Sequence, residues 1–207
     1  MNLPRVAQRP RLAARWIVGH RCALTIVILV AVLWWLLLPW KSNAVTWCEA
    51  FGWVDFYREM GDGWVGRTIG ESLWLFPVIE VVHLFGLAIL GGSVIVMDLR
   101  LLGVGLKGAS PARVLANTRP WLFVGLIVMI ATGVPLFLSE TTKCCFNHSF
   151  EVKIASLFLA VLYTFAVRNR IAVREGVSTC AMQGVAVLSL GLWFTVAAAG
   201  RWIGFSG

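Results

Sequence analysis

The chain has 207 residues, 59% of them hydrophobic and only 14% charged, with a mean hydropathy of +0.81 and a formal net charge of +8. Soluble domains carry about 25% charged residues, so this composition excludes a soluble protein and predicts an integral membrane protein. The basic residues flank apolar stretches, which relates their charge to membrane orientation and lipid headgroups. Nucleic-acid binding is not expected.

Five apolar stretches are long enough to cross about 30 Å of hydrocarbon, which needs about 20 helical residues. We therefore predict an all-α integral membrane fold of five transmembrane helices, an N-terminal anchor followed by a four-helix core. Most Lys and Arg residues lie in the N-terminal tail and in alternate loops, which predicts a cytoplasmic N-terminus and a periplasmic C-terminus in a bacterial inner membrane. The stretches are 22–40, 74–96, 121–138, 150–167 and 182–199.

Three regions follow one another along the chain. Residues 1–44 are predicted to form a basic cytoplasmic tail and the anchor, because the apolar run is longer than the core of about 7–15 residues in a signal peptide. Residues 45–71 mix apolar and charged side chains, which indicates a periplasmic segment with a short amphipathic helix in the membrane interface. Residues 72–207 are predicted to form the four-helix transmembrane core.

Glu80 and His83 interrupt the second apolar stretch. An ionisable side chain inside a membrane costs several kcal/mol unless it is paired or hydrated. Helical rotation of about 100° per residue places Glu80, His83 and Asp98 on one face, which we expect to look into the bundle. His83 lies 15 residues before Asp98, and Lys153 lies 15 residues before Arg168. His83 and Lys153 are therefore both expected about 22 Å from the cytoplasmic boundary. We expect Glu80 to pair with Lys153 and to leave His83 free.

This polar cluster of Glu80, His83, Lys153 and Asp98 has three interpretations. It could be a satisfied ion pair with a hydrogen-bonded histidine that only locks helix packing. It could hold a b-type haem, with His83 as an axial ligand of the iron. It could also be a proton or metal-ion relay through Glu80 and His83. For a haem, His148 is the one other histidine on the correct side, although alone it would be a solvated loop residue.

Three cysteines, Cys48, Cys144 and Cys145, fall on the predicted periplasmic side. A disulfide from Cys48 to either Cys144 or Cys145 would tie the first external segment to the second. The adjacent Cys144-Cys145 pair could instead bind a soft metal. No CxxC motif is present, so thioredoxin-like redox chemistry is not indicated.

Several motifs resemble an uncharacterised bacterial family of small four-helix inner-membrane proteins, over about residues 60–200. The resemblance implies an architecture distantly similar to the membrane domains of copper-resistance proteins and b-type cytochromes, and it implies no established activity. His148 is outside the family pattern, and the tail with the first stretch looks like an addition to the four-helix core. The motifs are Glu71-Ser-Leu-Trp-Leu-Phe-Pro-Val-Ile-Glu-Val-Val-His-Leu-Phe-Gly, Asp98-Leu-Arg-Leu-Leu-Gly103, Thr132-Gly133 and Asn147-His148-Ser149-Phe150-Glu151-Val152-Lys153.

Two functions follow as hypotheses. The leading one is a small redox-type subunit that carries one haem b at His83 and passes electrons at the outer face. The alternative is a non-catalytic accessory subunit of a larger membrane complex, with membrane lipids and other subunits as partners. Ion or metal transport ranks last, because the sequence has no second half-repeat. No motif decides whether the protein is an enzyme.

Overall fold

The computed structural model describes residues 45–205, and all regular structure in that range is helical. The predicted first span, 22–40, lies outside the described residues. The four core spans are confirmed as helices long and apolar enough to cross a membrane: α4, α5, the continuous run His148–Val173, and α9. The elements are α1 (Trp47–Ala50), α2 (Val54–Gly61), α3 (Trp64–Gly70), α4 (Leu75–Leu102), α5 (Pro111–Ser139), α6 (Thr141–Cys145), α7 (His148–Tyr163), a π-helical turn (Thr164–Arg168), α8 (Asn169–Val173) and α9 (Thr179–Trp202).

The helices extend beyond the predicted apolar stretches because local signals set their ends. Gly103 ends α4 in a left-handed conformation, with φ of 76°, that a glycine adopts without strain. The Ser110 side chain accepts a hydrogen bond from the Arg113 amide and caps α5, whose first residue is Pro111. The polar residues in the first and last turns of these helices are therefore helical, although a hydropathy profile does not include them in the apolar stretches.

The four long helices form an antiparallel bundle. We call the end with α1, α2, α3 and α6 the disulfide end, and the end with loops 103–110 and 174–178 the arginine end. Around the bundle α5 packs on α4, α4 on α9, and α9 on α7. The α4–α5 crossing is close because Gly125 faces Leu90, where an added Cβ would lie 2.6 Å from the Leu90 amide nitrogen.

The apolar core is concentrated toward the arginine end. One buried cluster joins α4, α5, α8 and α9 there, and a second lies deeper along α4 and α5. The four long helices also line a cavity, which extends from Tyr57 at the disulfide end to Leu102 at the last residue of α4. The core clusters therefore hold the bundle together beside a cavity that is available to a ligand. The two clusters contain Met97, Leu101, Val114, Leu115, Ala172 and Ala186, and Leu90, Val94 and Leu122.

The segment expected to hold one short amphipathic helix forms three, α1 to α3, separated by turns at Gly52 and Gly63. A disulfide joins Cys48 of α1 to Cys145 of α6, across 97 residues of sequence. Cys144 is a buried free thiol, so the structure selects Cys145 from the two predicted alternatives. The short helices are thereby fixed to the bundle end above the cavity.

Candidate functional site

The cavity has a volume of about 1110 Å³ and lies among α4, α5, α7 and α9. Its wall is mostly apolar, and Gly91 widens it, because a Cβ there would meet no atom within 4 Å. Four residues on the wall carry polar side-chain groups: Tyr57, His83, Lys153 and Trp193. Such a space suits an amphipathic ligand whose few polar groups meet these positions.

The orientation of His83 is fixed by α5. Its Nδ1 lies 2.7 Å from Thr132 Oγ1, and the Thr132 hydroxyl donates its own hydrogen to the Val128 carbonyl oxygen at 2.6 Å. Because that hydroxyl has one hydrogen, it must accept from His83, so Nδ1 carries the proton. Nε2 is then the unprotonated nitrogen, and it has no hydrogen-bond partner in the described part of the chain. A Cβ on Gly133 would lie 3.3 Å from His83 Cε1, so the glycine leaves room for the ring.

Lys153 is half-buried on the cavity wall, and its ammonium forms no hydrogen bond or ion pair with any residue from 45 to 205. Its stem packs beside Gly200, where a Cβ would lie 3.5 Å from Lys153 Cε. An ammonium held in an apolar wall without a counter-charge is unfavourable, which makes Lys153 a binding position for an acidic or acceptor group.

The Asn-x-x-Phe-x-x-Lys motif explains how Lys153 is positioned. The Asn147 side chain caps α7 by accepting from the amides of Ser149 and Phe150. The Phe150 ring stacks on Phe137 of α5, with ring centroids 5.3 Å apart, at the edge of the cavity. Lys153 follows one turn later and faces the same cavity. Asn147 thus caps the helix, Phe150 packs it against α5, and Lys153 supplies the charge.

Tyr57 of α2 completes the wall at the disulfide end. Its ring meets Phe137 edge-on at 5.7 Å between centroids. Burial raises the pKa of Tyr57 above its ordinary value, so the phenol stays neutral. Three aromatic rings, those of Tyr57, Phe137 and Phe150, thus line the cavity together with His83 and Lys153.

The expected Glu80–Lys153 ion pair does not form in the structure. Glu80 is exposed on α4 and is absent from the cavity wall. The physical reason is rotation: three residues of helix turn about 300°, so Glu80 stands about 60° away from His83. His83 is only half-buried and already lies at the edge of the buried face, so this further 60° carries Glu80 out of the bundle.

His148 is likewise separate from His83. Its Nδ1 lies 3.0 Å from Glu151 Oε2, and Glu151 Oε1 accepts a hydrogen bond from the Trp47 amide. His148 is not among the residues on the cavity wall. It belongs to the contact that fixes α1 to the start of α7, and the structure does not bring the two histidines to one ligand position.

Asp98 belongs to a different polar cluster near the arginine end. It is completely buried, its Oδ1 lies 3.5 Å from Arg168 Nη1, and its Oδ2 accepts from the Ser189 hydroxyl at 2.7 Å. Arg168 is also buried, because the π-helical turn carries it inward. The sequence interpretation used Arg168 only as a marker of the cytoplasmic boundary and missed this pairing with Asp98.

The comparisons with known proteins identify the family. The model of a family of unknown function, DUF6644, matches residues 51–206. The chain belongs to this family. No curated protein and no solved structure matched the chain. The expected uncharacterised family is therefore confirmed, and the match includes His83, Thr132 and Lys153 but not Cys48.

Proposed function

We propose that this DUF6644 member is a redox-type subunit of the bacterial inner membrane that binds one haem b, which His83 would hold. The observation that carries the proposal is the tautomer of His83. Thr132 accepts the Nδ1 proton, and the lone pair of Nε2 stays available at the cavity. Metal-bound histidines characteristically donate their second ring N–H in this way, which fixes ring orientation and raises basicity.

The other residues of the wall also fit this group. The apolar walls suit a porphyrin ring, and Lys153 offers a cation to a haem propionate. Met129 of α5 and Tyr57 of α2 lie on the same wall, and a thioether and a phenol are both side-chain groups that serve as haem ligands. Bound haem would supply one-electron transfer. The chain's own residues would orient the group, exclude water and neutralise an acid.

We propose the orientation from the charges at the two ends. The exposed basic residues of the loops and helix termini at the arginine end are Lys107, Arg113, Arg119, Arg170 and Arg174, which favours that end in the cytoplasm. His83 lies about 12 Å along α4 from Leu75, so the cofactor would lie nearer the periplasmic face. Electrons would then be exchanged on that side, where the oxidising compartment also favours the disulfide.

The experiment is haem quantification by pyridine haemochromogen on the full chain, purified in mild detergent from haem-replete cells. We expect about one haem per chain, its loss in His83→Ala, and weaker retention in Thr132→Val, because second-shell partners typically change metal affinity by about 10- to 100-fold. His148→Gln is the matched control and should retain the cofactor. A folded wild-type protein without a Soret band, or an unchanged band in His83→Ala, contradicts the proposal.

The accessory-subunit hypothesis makes the opposite prediction for the same variants. A subunit that only supports a larger complex would co-purify with its partners equally well as wild type, His83→Ala or Lys153→Met. Pull-down from detergent extracts, combined with haem quantification on the wild type and each variant, therefore separates the two functions. Loss of haem with partners retained favours the redox role, and partners retained with no haem in the wild type favours the accessory role.

A further inference from the structure

The side of the bundle between α5 and α7 is bridged by two aromatic pairs. Phe137 stacks on Phe150 toward the disulfide end, at 5.3 Å between centroids, and Phe123 stacks on Phe165 of the π-helical turn, at 5.4 Å. The two helices make no extensive contact between these pairs. Three residues that line the cavity are exposed there, and we call them the α5–α7 window: Ile130, Val134 and Ile154.

The segment around Trp47 is held beside this window. The Trp47 amide donates to Glu151 in the first turn of α7, and the Cys48–Cys145 disulfide holds the same segment. Ile154 lies three residues after Glu151, so the two side chains are neighbours on one face of α7. The backbone at Trp47 therefore lies next to the window, on its α7 side.

An exposed apolar stripe continues from the window along α7. Ile154, Phe158 and Leu162 recur every four residues and are 43%, 69% and 53% exposed. In the sequence, the uncharged apolar run 22–40 ends only five residues before Val45. The four linking residues leave five Cα–Cα steps from residue 40 to Val45, which span at most about 18 Å and keep the end of that run near the first turn of α7.

We propose that the run 22–40 docks on this α7 stripe. Only four residues connect the run to Val45, and its apolar composition matches an apolar surface. The family match begins at residue 51, so the docked run is additional to the matched region. The proposal does not depend on which ligand the cavity binds.

A photo-cross-linking experiment on the full chain in native membranes tests the proposal. Benzoylphenylalanine replaces Phe158 in the α7 stripe, a substitution of one aromatic residue by another. The matched control replaces Phe85 on α4, which is 67% exposed and also outside the cavity wall. Trypsin cleaves after Arg21 and Lys41, so the run 22–40 is released in one peptide, residues 22–41.

We expect irradiation to link position 158 to peptide 22–41 within one chain, seen as a mass shift, and position 85 not to. Capture by position 158 of lipid only, of another protein, or of peptide 22–41 from a second copy, recognised by a band at twice the monomer mass, would overturn the proposal. Equal capture by position 85 would also overturn it. A second probe in place of Ile154 guards against a local folding defect at Phe158, and an intact Cys48–Cys145 disulfide on a non-reducing gel verifies the fold.

Discussion

Removing one partner of the buried Asp98–Arg168 pair should destabilise the protein far more than removing both. The two side chains are 0% and 1% exposed, and the nitrogen–oxygen distance is 3.5 Å. At an effective dielectric constant of about 20, two unit charges at that distance attract by about 5 kcal/mol. Most of this attraction offsets the cost of removing both groups from water, so the net contribution of the pair is small while each unpaired charge is costly.

The perturbation is a double-mutant cycle with Asp98→Asn and Arg168→Met. Each single variant should lower the free energy of unfolding by about 3–5 kcal/mol, because an unpaired charge stays buried. The double variant contains no buried charge at this site and should lose much less than the sum of the single effects. The coupling energy should therefore be at least about 3 kcal/mol.

The assay is reversible unfolding in mixed detergent micelles, with increasing SDS and tryptophan fluorescence as the signal. Ser189→Ala removes one hydrogen bond to the carboxylate and should cost about 1.5–3 kcal/mol. The exposed pair of Arg58 and Asp55 is the matched control, and its cycle should show almost no coupling. If the Asp98 and Arg168 effects simply add, the two residues do not act as a pair and the reasoning fails.

Three further predictions concern packing and cysteine chemistry. Gly125→Val should destabilise the bundle by about 1–3 kcal/mol in the same assay, because its side chain would collide with the Leu90 backbone, and Gly125→Ala should show a smaller effect of the same sign. Cys145→Ser should lower stability by about 2–4 kcal/mol, which reduction of the Cys48 disulfide in the wild type should reproduce. Burial raises the pKa of Cys144 from 9.0 to about 11, which lowers its thiolate fraction at pH 8 about 100-fold. Iodoacetamide should therefore label Cys144 rapidly only after unfolding. Fast labelling of Cys144 in the folded protein would contradict its burial.

Hydropathy was enough to predict the four core helices, because a membrane segment must be long and continuously apolar. It could not locate the helix ends. Residues 97–102 include Asp98 and Arg100, so the apolar stretch stops at 96 while α4 continues to Leu102. The actual ends depend on Gly103 and on the Ser110 cap, which are turn signals rather than hydropathy signals.

The level of a residue along the helix axis was easier to predict than the side of the helix on which it lies. His83 and Lys153 were expected at one level, and both line the same cavity in the structure. Glu80 was expected on the same face, but 60° of rotation placed it outside. Depth depends only on a count of residues at about 1.5 Å each, whereas direction also depends on where neighbouring helices cross. Those crossings depend on contacts such as Gly125 against Leu90, which one sequence does not reveal.

Arg168 shows that a charge at the end of an apolar stretch need not be a flanking residue. In α7 and the π-helical turn, Ser156, Ala160 and Thr164 form a buried stripe with four-residue spacing, and Arg168 is its next member. A regular α-helix would drift about 40° over each such step. The wider π-turn winds less per residue and keeps Arg168 over the stripe. A buried acid such as Asp98 needs a buried cation, so its partner should be sought along the polar stripe of the facing helices before it is assigned to a loop.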